Sequence, residues 1–200
     1  MPIASLSTRQ LRILDIDLEN RPLSYLGSDW TTDEITAVAW SWIGSGRVEC
    51  WVLNLAGQFE AESGMTLEAP ELLHAIWGFI TAADMVTGHY IRRHDLPIIN
   101  GALLEYGRPP LREVLTQDTK MDLVSLKGMS KSQENLGEAL GLFNPKVHMS
   151  QIQWRKANRL GPEGLRLTRE RVIGDVQQHI EMRAALLKQG MLRAPEVWKP

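Results

Sequence analysis

The chain has 200 residues, 44% of them apolar, with 23% charged and a formal net charge of −2. That is enough for one good-sized α/β domain, and no run approaches the roughly 20 apolar residues of a membrane span. One cysteine, Cys50, excludes an intrachain disulfide, and Met1 to Gln10 lacks the layout of a signal peptide, so a cytoplasmic protein is expected.

Leu11 to Leu18 reads as a first strand. Ile35 to Ile43 alternates and is rich in β-branched and aromatic residues. Gly44-Ser45-Gly46 is a turn signal, and Arg47 to Leu55 resumes strand character around Cys50, a small buried apolar residue in this reading. The period then changes. Ala69-Pro70-Glu71 opens a helix, and Leu72, Leu73, Ile76, Trp77 and Ile80 form its apolar stripe. Ala83 to Gly88 is a short strand, with Asp84 expected to cap the preceding helix. A second helix runs from about Leu96 to Tyr106, and Pro109-Pro110 ends that region. Val114 to Thr119 is a strand leading into a helical stretch, Met121 to Lys127. Ser132 is an N-cap for a further helix that stops at Gly141. Pro145 to Leu160 reads as polar, irregular and basic. Pro162 to about Gly190 is one long helix, and Arg193 to Pro200 is expected to be loosely held. The predicted fold class is therefore α/β: a mixed sheet of three antiparallel and two parallel strands flanked by helices, in one domain over 1–200.

Charge is unevenly placed. Residues 1–90 carry 4 Lys/Arg and 12 Asp/Glu, whereas residues 91–200 carry 18 and 12. From Lys146 to Arg193 there are 10 Lys/Arg against 4 Asp/Glu. A basic helical C-terminal part from about residue 146 beside an acidic pocket suits a polyanionic substrate; two ordinary solvated helices would look the same. The acidic candidates are Asp17 and Glu19 at the end of the first strand, Asp95 after the Gly88 strand, and Asp175 in the long helix. Hard divalent ions prefer such oxygen ligands, and two ions about 4 Å apart can clamp both oxygens of a phosphodiester displacement. Carboxylates two apart on a strand share a face, so either Asp15/Asp17 or Asp17/Glu19 can form the pair. Carboxylates so gathered repel one another, and a divalent ion is expected to stabilise the fold.

The motifs resemble those of the DEDD group of 3′–5′ exonucleases, the DnaQ-like branch of the ribonuclease H-like fold, and most of all its small stand-alone bacteriophage versions. Asp17-Leu18-Glu19 matches the Asp-x-Glu that closes strand one, which favours Asp17/Glu19 as the pair. Gly88-His89-Tyr90-Ile91-Arg92-Arg93-His94-Asp95 is similar to Gly-Tyr-Asn-Ile-x-x-Phe-Asp, with Tyr90 and His94 in place of Asn and Phe. Asp118-Thr119 and Gln133-Glu134-Asn135-Leu136 resemble the strand and helix before the last motif. That motif has a Tyr four residues, or a His five residues, before its Asp. Here Arg171 and Glu170 precede Asp175, so neither general base is present. The resemblance spans roughly Leu11 to Leu187. It implies two Mg²⁺ or Mn²⁺ ions on Asp17, Glu19, Asp95 and Asp175, with Asp17 bridging and Asp95 acting largely through water.

It also implies single-stranded or frayed DNA 3′ ends as substrate, a replication or recombination protein acting in trans, no membrane, and the bacterial host cell as location if the chain is phage-encoded. Leu18, Asn20, His89, Tyr90, Arg92, His94, Trp154, Arg155 and Arg171 are the expected nucleic-acid contacts. Trp154 can stack on a base amid cations, or anchor its loop to the core. His179, one helical turn past Asp175, is a candidate catalytic base or a surface histidine. Asp29, Asp33 and Glu34 are expected to be solvated, and Asp118 and Asp122 to be structural. The histidines show no zinc spacing with cysteine, and no Gly-rich phosphate loop occurs. A catalytically weakened binder of the same fold, or an exoribonuclease, stays open.

Overall fold

The run of alternating apolar residues after residue 33 has to bury two faces, and a helical layer on each side does so. The computed structural model describes residues 10–23, 33–144 and 147–200. Strands β1 (Ile13–Pro22), β2 (Asp33–Trp42) and β3 (Glu49–Leu53) form the expected antiparallel meander. β6 (Met85–Gly88) and β7 (Val114–Asp118) add in parallel beyond β1. The sheet is wider than the sequence suggests. β4 (Phe59–Ala61) and β5 (Thr66–Leu67) prolong the meander, and β8 (Glu196–Trp198) pairs antiparallel with β7. Its order is β5-β4-β3-β2-β1-β6-β7-β8. The three added strands hold two or three residues each, too few to show a period. The C-terminal residues are thus pinned to a sheet edge: Glu196 carbonyl accepts the Thr116 hydroxyl at 2.9 Å, and Trp198 Nε1 donates to the Arg92 carbonyl.

One face of the sheet is covered by α1 (Ala69–Ala82) and α2 (Asp95–Glu105). Leu14, Ile16 and Leu18 of β1 and Trp40 of β2 pack there against Leu72, Ile76, Leu96 and Ile99. The other face carries α5 (Pro162–Lys188), which crosses β1, β2 and β3. Ala37, Ala39, Cys50 and Val52 meet Val172 and Val176; the two alanines let the helix lie close to the strands. Burial pushes the Cys50 thiol up to about 12, so it is a small apolar residue of the core. The β1–β2 register slips between Glu19 and Asn20, where Thr36 is the extra residue on β2. Such a bulge changes which face later side chains take, and it lies beside the acidic strand end.

Two segments depart from expectation. Met121 to Lys127 is not helical. Asp118 draws in the Lys120 and Met121 N–H groups at 3.0 Å each, and Leu123 then bridges to Leu192. Helix α3 (Gln133–Ala139) begins as expected on Ser132, which accepts the Asn135 N–H. Within the stretch read as irregular lies α4 (Gln151–Ala157), started by a reciprocal Ser150–Gln153 capping pair. Asp84, just past the end of α1, accepts the Arg12 N–H at 2.8 Å and holds the entry of β1. No helix of the described residues is long and apolar enough to cross a membrane.

Candidate metal centre

Strand and helix geometry brings the acidic residues together. Asp15, Asp17 and Glu19 alternate along β1 onto the face covered by α5. Successive members of that series are about 6.7 Å apart along the strand. Four helical residues rise about 6 Å, nearly the same step. Running in the opposite direction, α5 therefore meets β1 one turn per two strand residues. Arg171 reaches Glu19, Asp175 joins Asp17 and Glu19, and His179 reaches Asp15.

Asp17, Glu19 and Asp175 each present a carboxylate oxygen within 4.8 Å of the other two. Asp175 is buried on the helix, while Asp17 and Glu19 are partly exposed. A cluster of this kind can hold a hard divalent cation. A cation already stands beside it: Arg171 Nε donates to Glu19 Oε1 at 3.2 Å, and its Nη2 lies 3.1 Å from Asp175 Oδ2. Its Nη1 donates to the Val147 carbonyl, and its Cζ lies 5.9 Å from the centre of the Trp154 ring. The donor set and the guanidinium in its midst both fit a site built for positive charge.

Asp95 stands outside that group of three and next to it. Its Oδ1 accepts the N–H of Leu18 at 3.0 Å, the residue between Asp17 and Glu19. β6 pairs with β1 only as far as Asp15, so that N–H lies beyond the ladder and the carboxylate takes it. The loop between β6 and α2 crosses here. A side chain on Gly88 would strike Ile91 and come within 2.7 Å of the Ile16 carbonyl, so only glycine lets the loop pass this close to β1. His94 lies at the start of α2 with Nδ1 3.7 Å from Asp95 Oδ2. The adjacent Asp95 carboxylate raises its pKa against the opposing effect of burial, with Glu19 and Asp33 adding to the rise.

The structure sorts the other expected site residues. Leu18 is buried in the main core, so its side chain is not open to a ligand. Asn20 follows the bulge at the strand end. Tyr90 is exposed, with a positive φ of 73°; Asp118 Oδ1 accepts its N–H at 2.9 Å, and the Lys120 ammonium sits 3.9 Å from its ring centre. Arg155 is exposed on α4, and Trp154 is half-buried against Met149, Ala157 and Leu167. Arg21 ties that helix to β1 by donating to the Asn158 carbonyl at 2.6 Å. Arg92 is a correction. It is buried, its two Nη atoms each lie 2.7 Å from Asp122, and Nε donates to Thr116. This buried pair locks the loop to β7 and leaves no fork for a phosphate. Glu34 is paired with Arg21, and Asp29 lies outside the described residues.

His179 is the second correction. It is 2% exposed, with Nδ1 2.7 Å from Asp15 Oδ2 and Nε2 3.0 Å from the Thr119 hydroxyl. That hydroxyl is also 3.0 Å from Nδ1 of His89. The histidine is thus part of a buried polar chain, Asp15–His179–Thr119–His89, and does not reach the rim. Burial raises the Asp15 pKa, with His179 opposing. The sequence carried a signal for this chain in the spacing of Arg171, Asp175 and His179, four apart on one helix face.

No protein-family model and no curated protein sequence matches this chain. Its architecture is that of an α/β mixed sheet flanked by helices, consistent with the ribonuclease H-like fold. Among the solved structures it is similar to is the family B DNA polymerase from the hyperthermophilic archaeon Pyrobaculum calidifontis. The TM-score is 0.57 at 14% identity, over 89% of this chain and 25% of the polymerase. The chain thus spans about a quarter of that protein's length, and the likeness concerns the fold.

Proposed function

We propose that this chain is a metal-dependent 3′–5′ exonuclease acting on single-stranded or frayed DNA ends. The observation that carries the reading is the convergence of Asp17 and Glu19 from the first strand with Asp175 from the last long helix, within 4.8 Å. Asp95 on the neighbouring Leu18 N–H completes the four-carboxylate set that the motif resemblance implies. The shared fold with part of a DNA polymerase supports the same reading.

Mg²⁺ or Mn²⁺, two ions in this reading, would be held by Asp17, Glu19 and Asp175, with Asp95 assisting. Bound there, the metal supplies charge neutralisation at the phosphodiester and a water acidic enough to attack at neutral pH. The chain's own residues do the positioning. Asp95 fixes the backbone of β1 between its two acidic residues, and Gly88 lets the His89–His94 loop approach. His94 stands beside Asp95, and on α4 Trp154 lies beside Arg171, with the exposed Arg155 next to it in sequence. A ring and nearby cations suit sequence-tolerant capture of a single strand. A replication or recombination partner in trans belongs to the same proposal.

Arg171 favours a second reading. It stands one turn before Asp175, where the exonuclease motif carries its Tyr, and it is bonded into the cluster. A chain with that substitution can bind 3′ ends without cutting them. A 3′-labelled single-stranded oligonucleotide with Mn²⁺ separates the two. Wild type should release labelled mononucleotide, and Asp17→Asn should lose at least roughly 10²-fold of that rate with unchanged circular dichroism. Tight DNA binding without release supports the binder; full activity in a folded Asp17→Asn protein removes the proposed assignment.

A further inference from the structure

We propose that Arg171 is a built-in competitor for the metal centre: its guanidinium holds Glu19 and Asp175 when no divalent ion is bound, and must leave for one to enter. The proposal rests on the metal-site reading above. All three guanidinium nitrogens are engaged, Nε with Glu19 Oε1 at 3.2 Å, Nη2 with Asp175 Oδ2 at 3.1 Å, and Nη1 with the Val147 carbonyl. Its side chain is only 13% exposed, so this is a held cation and not a loose surface pair. The two oxygens it occupies belong to two of the three residues that would ligate the ion.

A divalent ion must contact carboxylate oxygens at about 2.1 Å. Oxygens that already accept N–H bonds from a guanidinium are partly spent. A singly charged fork within a few ångströms of a doubly charged ion also repels it strongly where solvent is scarce. The two cations therefore exclude one another at Glu19 and Asp175. Arg171 can withdraw without losing every partner, because its Cζ already stands over the Trp154 ring at 5.9 Å from the centre and an indole face is a good seat for a guanidinium. The arrangement differs from a simple counter-ion in its consequence: metal affinity is set below what three carboxylates alone would give.

The test is calorimetric titration of the full chain with Mn²⁺, comparing wild type, Arg171→Gln and Asp17→Asn. Glutamine removes the charge and keeps a polar stem. Arg171→Gln should bind Mn²⁺ at least roughly tenfold more tightly than wild type, and Asp17→Asn should bind it more weakly than either. The metal-free melting point of Arg171→Gln should fall, and its gain in melting point with Mn²⁺ should exceed that of wild type. Equal or weaker Mn²⁺ binding by folded Arg171→Gln overturns the proposal, as does the absence of Mn²⁺ binding by both proteins. A measurement on wild type alone guards against a variant that does not fold. The Arg171 Nε–H resonance should move when Mg²⁺ is added, and an unmoved resonance at saturating Mg²⁺ also overturns the proposal. Nucleotide release scored in the same samples keeps the two readings apart. Tighter Mn²⁺ binding with no release leaves the competitor standing and removes the exonuclease. Release with equal affinities does the reverse.

Discussion

Buried charge in this protein is paired, and the pairs mark where the chain cannot be altered without cost. Arg92 and Asp122 are nearly solvent-free, at 7% and 1% side-chain exposure, and share two contacts of 2.7 Å. Removing one partner strands a buried charge, so Asp122→Ala should lower stability by about 3–5 kcal/mol in urea denaturation. A loss below ~1 kcal/mol would show that water reaches Arg92. His94 offers a test by pH. Asp95 raises its pKa, so the protonated form is favoured in the folded state. Its stabilising contribution is complete below the pKa of an unfolded histidine and is lost as pH rises through the folded value. Its titration followed by NMR should lie above that of a free histidine, about 6.5, and should fall in Asp95→Asn. An unchanged titration in that variant would break the link between the two residues. Arg92 shows why side-chain roles were hard to read: an arginine in a recognition motif and an arginine locking a loop look alike until Asp122, thirty residues away, is seen beside it.

The site depends on β1 and α5 lying antiparallel in matched steps, and this element pairing is open to a double-mutant cycle. Asp15 and His179 are each almost fully buried and 2.7 Å apart. Asp15→Ala and His179→Ala should each cost about 2–4 kcal/mol. The double variant should cost less than their sum by 1 kcal/mol or more, as contacting residues do. Additive costs would mean the two do not meet. Much of this was legible beforehand, because period and caps marked β1, β2, β6, α1 and α5. Asp17, Glu19 and Asp175 were also visible as motif residues, though nothing in the separate segments showed how far apart they would stand. What escaped was short or long-range. β4, β5 and β8 have no period of their own and exist because a neighbouring strand offers its edge. The stretch after Asp118 has helical composition, yet Asp118 and the bridge to Leu192 hold it otherwise. His179 has the spacing of a rim residue, and only the depth of α5 against the sheet puts it inside.

Taken across the molecule, the two ends of the chain build one place. β1 supplies two carboxylates, α5 supplies the third and its guanidinium, and the loop after β6 delivers Asp95 to their backbone. The uneven charge of the sequence comes from its basic residues, 4 in residues 1–90 against 18 in residues 91–200, with 10 of them between Lys146 and Arg193. The decisive measurement is anomalous scattering from crystals soaked with Mn²⁺ and a nucleoside 5′-monophosphate. The account predicts a manganese peak bounded by Asp17, Glu19 and Asp175, with Arg171 turned away from Glu19. Manganese absent from that position, with Arg171 still seated between Glu19 and Asp175, would contradict it.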